Sequence, residues 1–178
     1  MRIKHTATLF GAVAAVLCHM TSVAQDQGSI TVQAEIIPSV LSLSVSSNRL
    51  SFGQVTSDAD TVRIDPANGN RYGNAFGNHS TGAVLLEGMQ GVPYTVSVTP
   101  PHNLGARGVR QNVGYSVLLA RSPECERTGF VQLSNPRNVH GTIGDTGCAR
   151  LQIGGLLAVY GAPPGMYEGT MTVHISSN

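Results

Sequence analysis

Short runs of alternating apolar and polar residues recur along this chain, each cut off by glycine, proline or asparagine. Alternation of period two puts every second side chain on one face of a strand, whereas a core-facing helix needs apolar residues at i, i+3, i+4 and i+7. Beyond residue 24 no window holds the helical pattern. Ile30, Val32, Ala34 and Ile36 share a face of the first predicted strand, which Pro38 interrupts, and Leu41, Leu43 and Val45 alternate with serines in the next run. Leu50-Ser51-Phe52 is a short piece ended by Gly53, and Val62 and Ile64 mark another strand. Residues 66–80, with Asn68-Gly69, Gly73 and Gly77, read as a polar surface loop or wide hairpin end. Further strands are predicted over 83–86, at Tyr94, Val96 and Val98 before Pro100-Pro101, and over 114–119, 129–133, 149–153 and 156–160. About eight to ten short strands punctuated in this way predict an all-β domain, an antiparallel sandwich of immunoglobulin-like kind.

The last predicted strand, 170–175, carries Met171, Val173 and Ile175 on one face. A strand exposes backbone N–H and C=O groups along any side that lacks a neighbour, so a terminal strand raises the question of what pairs with it. The run before it, Pro163-Pro164-Gly165-Met166-Tyr167-Glu168-Gly169, reads as a tight corner. Tyr167 sits where a sandwich tyrosine bonds back to nearby backbone through its hydroxyl. Gly165 is expected to take a backbone angle closed to other residues, with Gly169 ending the corner.

The N-terminus belongs to export rather than to the fold. Arg2 and Lys4, the apolar run 9–17 and the small residues Ser22-Val23-Ala24 have the order of a cleaved secretory signal peptide. The apolar run is too short for a membrane helix, which needs about 20 residues. Leu17 precedes Cys18 where bacterial lipoboxes carry Gly, Ala or Ser, so cleavage before Gln25 is the expected processing. One sandwich domain over residues 25–178 remains, long enough for a single core.

Cleavage simplifies the chemistry. Lys4 is the sole lysine, so the mature domain has no amine side chain for Schiff-base or isopeptide chemistry. Its arginines nearly balance its carboxylates, and no field of one sign invites nucleic acid. Cys18 is lost with the signal, leaving Cys125 and Cys148 as the expected disulfide of an oxidising compartment.

Catalytic patterns are thin. Ser80, in Asn78-His79-Ser80-Thr81-Gly82, lacks the first glycine of a nucleophile elbow, and Ser116 reads as a strand residue. His79, His102, His140 and His174 are dispersed, and Asp58 and Asp60 lack the glycine and distal glutamate of a calcium loop. Gly141, Gly144 and Gly147 have no strand-to-helix context that would make them a phosphate cradle. The reading is of a non-enzymatic protein without cofactor or metal.

Four pieces in order resemble a bacterial family named domain of unknown function 4402: Ile30-Thr31-Val32-Gln33-Ala34-Glu35-Ile36-Ile37, Leu50-Ser51-Phe52-Gly53, Val62-Arg63-Ile64-Asp65-Pro66, and the closing Gly-x-Tyr-x-Gly-Thr-x-Thr-Val run. That family looks like a relative of the pilins and spore-coat-U-like proteins of Gram-negative bacteria. The resemblance implies an exported, disulfide-bonded sandwich lacking its last strand, assembled with a periplasmic chaperone and an outer-membrane usher into a homo- or hetero-polymer. It implies passage through the periplasm to the cell surface or the medium. Met171, Val173 and Ile175 would then form a strand-acceptor edge. Ser177 stands next to last, where pilins commonly carry an aromatic residue. With 30–37 as first strand only residues 25–29 precede it, too few to donate to a neighbour.

Two function classes follow. One is a fimbrial or other surface structural subunit, completed by a strand from a chaperone or neighbouring subunit. The other is a secreted monomer that binds a glycan or protein through the 66–80 loop, where Arg71, Tyr72, Phe76 and His79 could contact a sugar.

Overall fold

The computed structural model describes residues 41–126 and 128–177, so the predicted signal peptide, its predicted cleavage site and the predicted strand 30–37 lie outside the described residues. In chain order the strands are β1 (Leu41–Ser47), β2 (Gln54–Val55), β3 (Thr61–Ile64), β4 (Arg71–Tyr72), β5 (Ala75–Phe76), β6 (Gly82–Gly88) and β7 (Pro93–Thr99). They continue with β8 (Asn103–Ala106), β9 (Val113–Ser122), β10 (Val131–Gln132), β11 (Asn138–Thr142), β12 (Cys148–Ala158), β13 (Tyr167–Glu168) and β14 (Thr172–Ser177). Every ladder is antiparallel, and no helix occurs among the described residues. The all-β antiparallel architecture is the one the alternation predicts.

β12 is the spine. Along one edge it pairs with β9, from Arg150 opposite Ser122 to Ala158 opposite Gly114. Along the other edge, residues Cys148 to Ile153 pair with β6 and Gly155 to Ala158 with β3. The main sheet runs β1-β6-β12-β9-β8-β13, with β3 carrying β4, and β10 also pairing with β9. The second sheet is β11-β7-β14. Alternation makes each strand two-faced: Val84 and Leu86 of β6, Val117 and Leu119 of β9, Leu151 and Ile153 of β12, and Tyr94, Val96 and Val98 of β7 are buried together in one core.

Sequence alternation splits 149–160 into two strands at Gly154-Gly155, yet β12 runs straight through. Neither glycine has positive φ. Their role is close approach. A Cβ on Gly154 would collide with the Ile64 carbonyl and Pro66, and one on Gly155 with the Tyr115 ring and the Ser116 carbonyl. Tyr115 lies over this point and its hydroxyl donates to the Gly154 carbonyl at 3.1 Å. Burial pushes the Tyr115 phenol well above its ordinary pKa. Tyr94 is raised for the same reason, less the opposing effect of the Arg121 guanidinium. A Cβ on Gly141 would meet the Tyr94 ring and Arg121, so this glycine of β11 lets the chain pass over a bulky core side chain.

The 66–80 stretch is more structured than a plain polar loop. The Asp65 carbonyl accepts from Gly69 N–H at 2.8 Å and the Asp65 carboxylate from Ala67 N–H at 2.9 Å, closing a turn between β3 and β4. β5 then pairs with β2. The strand predicted over 129–133 contracts to β10, and β8 and β11 appear where no clean alternation marks them.

Candidate functional site

Among the described residues several strands keep an unpaired edge, and two of them, β1 and β14, lie near each other along a seam. β1 is hydrogen-bonded to β6 alone, and β14 to β7 alone, so among the described residues each keeps a backbone edge without a ladder partner. These two strands approach each other. Among the described residues the terminal strand is therefore paired on one side and has no ladder partner on the other.

Burial marks the seam. Val45 of β1 stands directly opposite Val84 of β6, so both face inward, yet Val45 is 58% exposed and Val84 only 2%. Leu41 and Leu43, on the same row, are half-buried. Across the seam Val173 and Ile175 face Val98 and Val96, which are buried, and are themselves half-buried, as is Met171 ahead of them. The three residues predicted as an acceptor edge thus share the inward side of the seam with a second wall, Leu41, Leu43 and Val45.

Beyond the C-terminal end of β1 the seam widens into a cavity of about 1080 Å³. One side is chain 48–55, leading away from β1, and the other is chain 162–171, leading into β14. Phe52, Val113, Tyr115, Leu157 and Val159 line it with apolar surface, and Phe52 meets Tyr115 edge to face at 6.3 Å between centroids. Met166 stands at its rim, 76% exposed.

The corner holds the cavity wall. The Tyr167 hydroxyl donates to the Pro163 carbonyl at 2.8 Å. β13 pairs with β8, and β14 continues the same direction along β7, so residues 167–177 behave as one bent strand. Gly165, expected to need a left-handed angle, does not adopt one; Gly161 does, with φ of 72°. Gly169 serves a different purpose: a Cβ there would press on Leu104 and Pro101.

Two of the four residues expected at a ligand loop, Arg71 and His79, lie against backbone carbonyls, and the other two are exposed. Arg71 is structural. Its Nη1 donates to the carbonyls of Phe52 at 2.9 Å, Phe76 at 3.0 Å and Gly77 at 3.2 Å, and its Nη2 to that of Ala75 at 2.8 Å. The His79 Nε2 lies 3.1 Å from the Gly69 carbonyl. Tyr72 and Phe76 are exposed, on β4 and β5. The Ser80 hydroxyl donates to the Arg49 carbonyl at 3.0 Å.

Cys125 and Cys148 are bonded, with Cα atoms 5.4 Å apart, tying the chain after β9 to the start of β12. Such a bond belongs to an oxidising, exported environment. No helix among the described residues is long and apolar enough to cross a membrane.

Sequence reading found one wall of the seam and missed the other. β1 was legible as a strand, but nothing in Leu41-x-Leu43-x-Val45 says that its inward row lacks cover. That is a property of what lies opposite. No curated protein and no solved structure matches the chain. The model of the family DUF4402, a domain of unknown function, matches residues 43–176, from within β1 to within β14, and the chain belongs to that family.

Proposed function

We propose that this protein is an exported, non-enzymatic structural or adhesive subunit whose seam is completed by a β-strand from another chain. A periplasmic chaperone would supply that strand before assembly at the cell surface, and a neighbouring subunit after it, as in pilin-like polymers. The observation that supports this reading is the pair of inward rows left half-buried or exposed on two neighbouring edges that have no ladder partner among the described residues. Among the described residues β14 lacks the charges, proline and bulge that often blunt an edge. Thr172-Val173-His174-Ile175-Ser176-Ser177 contains no Lys, Pro, Asp or Glu, and its ladder with β7 has no bulge. Main-chain hydrogen bonds would give such an interaction affinity, and alternate side chains its specificity.

The test is binding of a synthetic strand of alternating apolar residues, or of a candidate chaperone, to the mature protein. Val173→Asp places a charge on the inward row and should weaken binding at least tenfold, while His174→Asp, on the outward face, should change it little. Equal binding by both variants contradicts the proposed place of the strand. The glycan reading loses Arg71, whose guanidinium is occupied by four carbonyls.

A further inference from the structure

The outward face of the main sheet carries a second, smaller cavity, of about 320 Å³. Its floor follows from strand alternation. Leu151 and Ile153 of β12 point into the core, so Arg150 and Gln152 face outward. Gln152 pairs with Ala83 of β6 and Ala83 with Ser47 of β1, which sets the three in one row across the sheet. The small alanine keeps the middle of that row low. The register shift between Val45 and Ser47 brings both Ser46 and Ser47 into the lining. Chain 79–81, leading into β6, forms another wall with Gly69 of the β3 to β4 turn. A carbonyl only accepts, so it is the His79 Nε2–H that donates to Gly69 at 3.1 Å and ties turn to wall. Ligand pockets begin at about 300 Å³, and this one has room for one small polar ring.

The lining groups define what that ring must carry. Arg150 brings a positive charge, and among the described residues no Asp or Glu lines the cavity. Its Nη2 donates to Ser46 Oγ at 3.3 Å, which itself donates to the Ala83 carbonyl at 3.2 Å, so Ser46 holds the guanidinium at this place. Around it stand oxygens with lone pairs to offer. Ser47 Oγ donates to the Thr81 carbonyl at 3.0 Å and Ser80 Oγ to the Arg49 carbonyl at 3.0 Å, which uses their hydrogens and leaves the oxygens to accept. Gln152 Nε2 donates to Thr81 Oγ1 at 2.8 Å, so Gln152 Oε1 accepts as well, while the Thr81 hydroxyl keeps its hydrogen to donate.

A bare sulfate or phosphate needs donors on every side, and these acceptors would repel it. Hydroxyl groups satisfy both roles. No Tyr or Phe among the described residues lines the cavity, so ring stacking cannot hold a neutral sugar there and the charge has to anchor the ligand. We propose that this cavity binds one residue of an acidic saccharide, its carboxylate against Arg150 and its hydroxyls against Ser47, Ser80, Thr81 and Gln152. The site lies on the outward face, whereas the rows of the seam point inward, and it does not depend on a strand entering the seam. A surface subunit would use it to hold an acidic polysaccharide.

The experiment titrates the mature, disulfide-bonded protein with galacturonate, glucuronate and N-acetylneuraminate, and separately with neutral galactose and with sodium sulfate at equal ionic strength, following backbone amide shifts. At least one acidic sugar should give saturable shifts confined to residues 46–47, 79–83 and 150–152, with a Kd at least fivefold below that of galactose. Arg150→Met should raise that Kd at least tenfold, and Arg150→Lys should recover part of the loss by restoring the charge. Gln152→Ala, which keeps the charge, should raise it at least threefold. Arg107→Met, at an exposed arginine between β8 and β9, should change it less than twofold. Sulfate binding at the same amides as tightly as the acidic sugar overturns the saccharide, and galactose binding as tightly overturns the role of the carboxylate. Equal effects of Arg150→Met and Arg107→Met mean diffuse attraction and overturn the site. So does the absence of saturable shifts at these amides with all three acidic sugars.

Discussion

The β6-β12-β9 flank and the β1/β14 seam are built from the same kind of sequence, yet they end in different physical states. Leu151 of β12 and Val45 of β1 both sit on inward rows of alternating strands. Leu151 is 1% exposed because β12 has a strand on each edge and a sheet opposite. Val45 is mostly exposed, and among the described residues β1 has a neighbour on one edge only. The difference lies in what stands beside the residue, and it separates positions that hold the fold together from positions available to a partner.

The largest effect that would sharpen this contrast is cavity formation on the flank. Leu151→Ala should cost about 2–5 kcal/mol in chemical denaturation of the isolated protein, since a fully packed site loses both transfer energy and contacts. A loss below about 1 kcal/mol would mean that the flank is not the rigid half. Next, replacing both Cys125 and Cys148 by serine releases a loop spanning 23 positions anchored on β12. The chain-entropy argument gives a loss of about 3 kcal/mol, read from the denaturation midpoint.

The flank should also carry the alkaline limit of the protein. Tyr115 and Tyr94 are held protonated by burial, with folded pKa values above the ordinary 10. Their neutral forms favour the fold fully below about pH 10. As pH rises past that value the unfolded chain loses protons that the folded chain keeps, so stability falls by at most about 1.4 kcal/mol per pH unit for each tyrosine. Melting temperature against pH should bend downward near 10, and Tyr115→Phe should soften the bend. The smallest effect belongs to the seam: Val45→Ser in the isolated protein should change stability by no more than about 0.5 kcal/mol, as at other exposed positions. A loss like that of Leu151→Ala would erase the distinction.

Much of this fold could be read from alternation because a half-buried strand writes its two faces into the sequence, as Tyr94, Val96 and Val98 do. Misreadings arose where a residue answers to a distant neighbour. Gly154 and Gly155 looked like a turn because glycine usually punctuates, but they serve the approach of Pro66 and Tyr115. Arg71 looked available to a ligand because it lies among loop residues, and only the folded chain brings four carbonyls around it. β11, Asn-Val-His-Gly-Thr, places one apolar side chain in the core and so leaves almost no periodic trace. Of the seam, Met171, Val173 and Ile175 were legible because they alternate at the end of the chain. Its second wall and its cavity were not, since they arise where described residues more than a hundred positions apart come together.

Amide hydrogen exchange, resolved along β14, tests the central claim most directly. In the mature protein, adding a saturating alternating apolar peptide should slow exchange at the amides of β14 that point away from β7 by at least tenfold, with β12 unchanged. Slowing spread evenly over the whole domain, or none at β14 while the peptide binds elsewhere, would contradict the seam as the place where a strand is received.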